Sequence, residues 1–332
     1  MKKIAVVTGG AGFIGSHLVD LLLSKKYQVR VIDDLSLSNL KNLSHLKKNI
    51  NLKIYKKDIC SLNYDSKLFK NANFVFHLAG NGDIVPSIEN PSGYINTNFN
   101  GTLKVLEASR FAKINKFIYA ASSSCYGMCN TSTNEKSQIN VEHPYALSKY
   151  LGEQLVMHWN KVYNLPANSI RIFNAYGKRF KTTGAYGSVI GVFFKQKLEN
   201  KPLTIVGNGK QKRDFIHVQD VAEAFLAAAL TKKQGQIYNL GTGIAHEVNY
   251  LAKIIGGKKI SIPNRPGEPK ITKANIKKIT KELKWKPKIK FKNGIKNMLN
   301  DIHLWKDAPL WTPKKIDKAT KSWFKYISNK KK

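Results

Sequence analysis

Tyr145 and Lys149 bracket the run Tyr145-Ala146-Leu147-Ser148-Lys149. On a helix, positions i and i+4 share a face, so the ammonium would stand beside the phenol. A free phenol has a pKa of about 10 and is a poor base near neutrality unless positive charge favours the phenolate. Lys149 would supply one such charge and an oxidised nicotinamide another. Alone, this spacing is more often a surface pair. It gains weight from Ala121-Ser122-Ser123-Ser124-Cys125-Tyr126-Gly127, which follows an apolar run and offers hydroxyls able to share the charge of an alkoxide. Further upstream, Thr8-Gly9-Gly10-Ala11-Gly12-Phe13-Ile14-Gly15 spaces glycines at i, i+3 and i+6. Such glycines permit a tight turn, backbone approach to a pyrophosphate, and close packing of a helix on its strand. Asp33, 18 residues after Gly15, could accept hydrogen bonds from an adenosine ribose. The acid favours NAD over NADP, because a 2′-phosphate would meet a negative charge. Together these residues point to hydride chemistry on a hydroxyl.

Such groups need a sheet with helices between its strands. Short β-branched runs at Ile4–Val7, Gln28–Ile32, Leu52–Tyr55, Phe74–His77, Lys116–Ala120 and Ser169–Ile172 predict parallel strands. Apolar residues at helical spacing predict helices over Ser16–Ser24, Asn98–Phe111 and Tyr145–Tyr163. The fold class is therefore α/β: a Rossmann-type, doubly wound parallel sheet whose ligands sit at the carboxyl ends of the strands. Past residue 175 the pattern breaks into shorter pieces punctuated by prolines. A nucleotide-binding domain over 1–175 and a smaller, discontinuous α/β substrate domain over 176–332 are expected. Val218–Leu230 is alanine-rich, and residues 215–240 are expected to pack back on the first domain.

The chain has 332 residues, 42% of them apolar, which excludes a disordered polymer. Its 56 Lys and Arg against 21 Asp and Glu give a net charge of +35. Only six of those cations are arginine, and the lysines are scattered, which argues against a nucleic-acid surface. The field would still raise encounter rates with anionic small molecules. Cys60, Cys125 and Cys129 lack the spacing of a redox or zinc pair, and the eight histidines show no metal spacing, so no metal is expected. His77 and His217 read as satisfied core histidines. No apolar run reaches the roughly 18 residues of a spanning helix, and the N-terminal apolar run meets glycines too early for a signal peptide. A cytoplasmic protein without a membrane partner is expected.

With these residues in hand, the chain resembles the extended short-chain dehydrogenase/reductase family, in its NAD-dependent nucleotide-sugar epimerase and dehydratase branch. The resemblance spans nearly the whole length. It also rests on Asp58-Ile59, Phe76-His77-Leu78-Ala79-Gly80, Asn98 ahead of Gly101-Thr102, Arg171-Ile172-Phe173-Asn174-Ala175-Tyr176-Gly177, Arg213-Asp214-Phe215-Ile216-His217-Val218 and Arg265-Pro266-Gly267-Glu268. It implies Ser122, Tyr145 and Lys149 as the catalytic set, with Tyr145 the base. It implies that Gly9, Gly12, Phe13, Ile14, Gly15, Asp33, Asp58, Ile59, Leu78, Ala79, Gly80, Asn98 and Lys149 hold NAD. Ser123, Ser124, Asn174, Val189, Arg213, Arg265 and Glu268 would meet the nucleotide-diphosphate sugar, a UDP-sugar by preference. In a lysine-rich chain, arginine at 213 and 265 suits bidentate phosphate binding. The alternative for each is an ion pair with Asp214 or Glu268.

Within the branch, dehydratases carry Asp-Glu directly after the active-site Ser/Thr, and decarboxylases a Glu two places on. Ser123 and Ser124 hold those places, so elimination and decarboxylation lack their acid. The chain most resembles UDP-hexose 4-epimerases. The implied reaction removes hydride and proton at C4 of the sugar and returns hydride to the opposite face of the ketone. A 4-dehydrogenase or 4-ketoreductase would use the same residues, and an RNA-binding member of the fold is a third reading that rests on charge alone. Gly184–Val189 resembles the loop of epimerases that accept N-acetylated or uronic sugars. Thr272 falls where a tyrosine narrows the pocket in some glucose/galactose enzymes, which leaves room for an N-acetyl group. Gly82 stands where some members place a cofactor-contacting lysine, and Asn275 where an aspartate is common. The resemblance further implies a homodimer through the helices around 98–111 and 145–163, and a role in supplying cell-surface polysaccharide.

Overall fold

The computed structural model describes residues 2–180 and 188–327. Its strands are, in chain order, β1 (Ile4–Thr8), β2 (Gln28–Asp33), β3 (Leu52–Lys56), β4 (Phe74–His77), β5 (Lys116–Ser122), β6 (Ala167–Ile172), β7 (Asn174–Tyr176), β8 (Leu203–Val206), β9 (Lys212–His217), β10 (Gln236–Leu240), β11 (Ala245–Glu247), β12 (Lys259–Ile262) and β13 (Ile271–Thr272). Seven make one sheet in the order β10-β6-β5-β4-β1-β2-β3, every pair parallel. Ala5, Val6 and Val7 are fully buried, as a strand covered on both faces requires. The strand order reverses between β1 and β4, where Thr8 pairs with both Ile32 and His77. A crevice opens there beyond the strand ends.

Helices cover both faces. Those of the first half are α1 (Phe13–Ser24), α2 (Ile84–Glu89), α3 (Pro91–Ile95), α4 (Gly101–Phe111) and α5 (Pro144–Tyr163). Then come α6 (Val189–Leu198), α7 (Val218–Leu230), α8 (Val248–Ile255), α9 (Lys277–Leu283), α10 (Phe291–Asn300) and α11 (Pro313–Ile327). Leu18 and Leu22 of α1 meet Phe225 of α7 on one face, while Val105, Leu106 and Val156 of α4 and α5 fill the other. The strand Phe74–His77 and the helix Val218–Leu230 fall where the sequence places them. With β10, α7 adds a strand and a helix to the first sheet. A third core, including Phe193, Phe215 and Trp305, lies under the second half.

Two helices start later or earlier than their spacing suggests. α1 begins at Phe13, because extended Gly12 ends the turn and its carbonyl already accepts from Ser16 N–H at 3.0 Å. α4 begins at Gly101 rather than Asn98: residues 96–100 form a wider turn, in which the Asn98 carbonyl accepts the Thr102 hydroxyl at 2.7 Å. His77 is fully buried between Thr8 Oγ1 (2.6 Å) and Thr102 Oγ1 (2.9 Å), and burial lowers its pKa to about 3. It is a satisfied core histidine. His217 caps α7, its Nδ1 accepting from Gln219 N–H at 3.3 Å. Among the described residues, no helix is long and apolar enough to cross a membrane.

Candidate active site

β5 carries the chain to Ser122, whose hydroxyl accepts Ser124 N–H at 3.1 Å and so caps the short turn 123–126. That local bond fixes Ser122 at the strand end, with Ser123 and Ser124 half-buried beside it. α5 enters opposite. Pro144 occupies its first turn, and His143 Nδ1 accepts Ala146 N–H at 3.2 Å, so Tyr145 sits at the helix mouth. The Ser122 hydroxyl lies close enough to the Tyr145 phenol to favour the ionised form. The His143 ring stacks on Tyr145 at 5.9 Å and Tyr94 meets it edge-on at 6.5 Å. Burial holds the phenol above its ordinary pKa, the Ser122 hydroxyl opposes this, and Asp83 and Cys125 add to the rise.

One turn further, Lys149 is 8% exposed, with Nζ 4.3 Å from the centre of the Tyr119 ring. Burial lowers its pKa to about 7, against the pull of Glu153. Glu153 is itself paired with Arg171 at 2.6 Å, both side chains buried, and also accepts the Ser169 hydroxyl at 2.8 Å. Arg171 reaches Tyr126 Oη at 2.8 Å, and that hydroxyl donates to Asn239 at 2.7 Å. The helix α5 is thereby fixed to β6, β10 and the turn after β5.

The glycine loop is shaped by exclusion. Gly9 has φ +69°, and a Cβ there would lie 2.6 Å from Ala79 N; a Cβ on Gly15 would overlap the Gly9 carbonyl. Gly12 caps α1 without a side chain, leaving the first amides of the helix, at Phe13 and Ile14, to an outside acceptor. Asp33 is buried at the end of β2, accepting Ala11 N–H (2.9 Å), Leu35 N–H (3.0 Å) and the Ser38 hydroxyl (2.6 Å). It orders the loop as well as facing the crevice edge. Asn98 Nδ2 donates to Ser148 Oγ (2.8 Å) and Asn81 O (3.0 Å), so it ties α5 to the loop after β4 that holds Leu78, Ala79 and Gly80. A Cβ on Gly80 would stand 3.7 Å from Lys149 Nζ. Asp58 is exposed and caps Cys60 N–H at 2.9 Å, beside buried Ile59. Uncapped amides, a glycine trough and a buried ammonium at its far end fit a dinucleotide. Gly82 is exposed, with open space around it.

Across the crevice, Arg213 donates to Glu268 at 2.7 Å and to Pro269 O at 2.7 Å, and Arg265 stands 4.0 Å from the same carboxylate. Of the two acids weighed as partners, Glu268 is the one used. Asp214 turns away and accepts Thr242, Gly243 and Ala274 amides at 2.7–3.0 Å. Asn174 donates to Thr272 Oγ1 at 2.9 Å and to Asp214 O at 3.1 Å. Val189 opens α6; Gly184–Gly187 lie outside the described residues. Among the described residues no three His, Cys, Asp or Glu converge as metal ligands.

Asp83, His143 and Glu153 were not singled out by the sequence, and Arg171 only as part of a motif without a role of its own. Glu153 follows Lys149 at i+4 and Arg171 is one of six arginines, signals that were available. Of the C-terminal tryptophans, Trp305 packs in the third core and the Trp311 carbonyl accepts Gln196 at 2.7 Å, while Trp323 packs against Val85 of α2, in the first half of the chain and not under the second. It does so because α11 crosses back over the first.

A family model described as the NAD dependent epimerase/dehydratase family matches residues 5–241. A Methanocaldococcus jannaschii protein named "Putative UDP-glucose 4-epimerase" is 38% identical over 304 residues, spanning 89% of this chain and 97% of its own. Among solved structures, a UDP-N-acetylglucosamine 4-epimerase from Methanobrevibacter ruminantium, in complex with UDP-N-acetylmuramic acid, superposes with TM-score 0.85 at 30% identity, over 92% of this chain and 98% of that one. A UDP-glucuronic acid 4-epimerase from Bacillus cereus, in complex with UDP-glucuronic acid and NAD, gives 0.84 at 30% identity, over 91% and 99%. The chain belongs to the NAD-dependent epimerase/dehydratase family.

Proposed function

We propose that this protein is an NAD-dependent nucleotide-sugar 4-epimerase acting on a UDP-hexose or UDP-N-acetylhexosamine. The observation that carries the reading is the convergence of Ser122 at the end of β5 with Tyr145 and buried Lys149 of α5 at the switch-point crevice, with serines rather than carboxylates at 123 and 124. Gly9, Gly12, Gly15, Asp33, Ala79, Asn98 and Lys149 would hold NAD, which when bound supplies a hydride acceptor and donor at the sugar carbon. Tyr145 takes the proton of the 4-hydroxyl through its Oη, and Ser122 stabilises the oxygen left behind. Lys149 and the positive charge of the oxidised cofactor favour the phenolate, against burial and Asp83. Arg213 and Arg265 grip the diphosphate, with Glu268 setting the angle of both forks. The hexose end is held by few charged groups and is free to turn, so hydride returns to either face.

Residues 1–175 with 215–240 form the cofactor half in this reading, and the remainder the substrate half. The protein works in the cytoplasm as a homodimer through α4 and α5, whose outward Phe111, Val162 and Tyr163 are 58%, 50% and 46% exposed, and feeds cell-surface polysaccharide synthesis. Thr272 leaves space for an N-acetyl group: Thr272→Tyr should end turnover of the N-acetylhexosamine while sparing the plain hexose. The deciding experiment is NMR of the protein with UDP-glucose and, separately, UDP-N-acetylglucosamine, without reductant, beside Tyr145→Phe. A galacto-configured product missing in the variant supports the epimerase. A 4-keto product accompanied by NADH would move the reading to a 4-dehydrogenase.

A further inference from the structure

We propose that Trp323 is a positioning residue that sets the loop Arg265–Glu268 in register with the catalytic helix, an inference that rests on the reading of that loop as the diphosphate grip. α11 lies on α2 in an apolar cluster of its own, with Trp323 and Ile327 against Val85, Ile84 and Ile88. Ser322 adds a hydrogen bond to Glu89 at 3.0 Å. From that footing, the Trp323 indole N–H donates to Pro266 O at 2.6 Å. The neighbouring Gly267 has φ +68°, and a Cβ there would come 2.6 Å from Ile327 Cγ2, so the helix and the loop are in direct contact. The other side of the indole faces His143 at 6.4 Å, the residue that caps α5 and stacks on Tyr145.

One buried side chain therefore touches the nucleotide half, the loop between Arg265 and Glu268, and the ring behind Tyr145. Pro266 locks its own φ and holds Arg265 to extended backbone, but its carbonyl direction depends on ψ and Gly267 resists little, so that carbonyl is left to be set from outside the loop. Its carbonyls at 266 and 269 are instead held by Trp323 and Arg213. Fixing the Pro266 carbonyl plane fixes the direction in which Arg265 leaves the backbone. It also fixes the distance from the diphosphate grip to Tyr145.

The test uses the full-length protein with NAD and compares wild type with Trp323→Phe, which keeps a ring and removes the donor, and Trp323→Ala. UDP affinity by calorimetry, KM and kcat for the UDP-sugar turned over, and the melting temperature are measured together. Loss of one buried hydrogen bond predicts that Trp323→Phe weakens UDP binding and raises KM about 5- to 10-fold, with kcat within about twofold of wild type. Trp323→Ala should lower kcat as well, since His143 loses its backing. Wild-type UDP affinity and KM in Trp323→Phe, whatever its melting temperature, would overturn the proposal while leaving the epimerase intact. A wild-type protein that converts no UDP-sugar and does not bind UDP would instead sink the functional reading, and the proposal with it.

Discussion

Replacing Lys149 by methionine should make the nucleotide-free protein more stable while removing its activity. Methionine matches the length of the lysine stem, carries no charge, and keeps its apolar contact with the Tyr119 ring. In the folded protein, burial brings the Lys149 pKa from 10.5 to about 7. That depression means folding expels a proton, so the group lowers stability by about 4–5 kcal/mol at and below pH 7. The penalty shrinks by about 1.4 kcal/mol per pH unit as pH rises from 7 towards 10.5, and vanishes above it. Urea denaturation of both proteins at pH 6.5, 8 and 9.5 isolates the effect, since every other titrating group is common to the pair. Lys149→Met should lead by about 3–5 kcal/mol at the lowest pH, the lead falling to about 1–2 kcal/mol at the highest. A variant less stable than wild type at pH 6.5, or a difference independent of pH, would show that the ammonium is accommodated without strain and that Lys149 is not poised near neutrality.

Arg171→Leu strands Glu153 as a buried charge and should cost about 3–5 kcal/mol in urea denaturation, whereas the double variant Glu153→Leu/Arg171→Leu should recover most of that loss. A double variant as unstable as the single would place the cost in packing. Asp83→Asn removes a charge that raises the Tyr145 pKa, so the low-pH limb of kcat/KM should move to lower pH; a limb that stays put or moves up would separate Asp83 from the base. Gly15→Ala forces a methyl onto the Gly9 carbonyl, and the purified variant should carry little NAD by absorbance and bind it weakly in titration. Undiminished NAD content would mean that the loop relaxes freely.

What the sequence reveals follows from the range over which each interaction acts. The glycine loop and the Tyr145/Lys149 pair are legible because a turn and one helical repeat fix their geometry locally. The parallel strands are legible because burial on both faces demands unbroken β-branched runs, as in Ile4-Ala5-Val6-Val7. The start of α4 is misplaced because a side-chain bond, Thr102 to the Asn98 carbonyl, widens the preceding turn without changing its apolar spacing.

The substrate end is the hardest to read, for a reason seen in β9. Asn174 of β7 stands opposite Phe215 on one side of that strand, and Thr272 of β13 opposite Arg213 on the other. Positions 213 and 215 point to the same face, so the two registers together bring Asn174 and Thr272 within 2.9 Å across 98 residues of chain. A slip of one residue in either pairing would send one of those side chains to the opposite face. Arg213 and Glu268, 55 residues apart, and Trp323 and Pro266, 57 apart, depend on the same strand pairings and on where α11 lands. No local spacing encodes such contacts. On the proposed function, recognition of the sugar would be set by strand register and helix docking, and substitutions that disturb β9 should alter substrate choice before they alter the rate set by Tyr145.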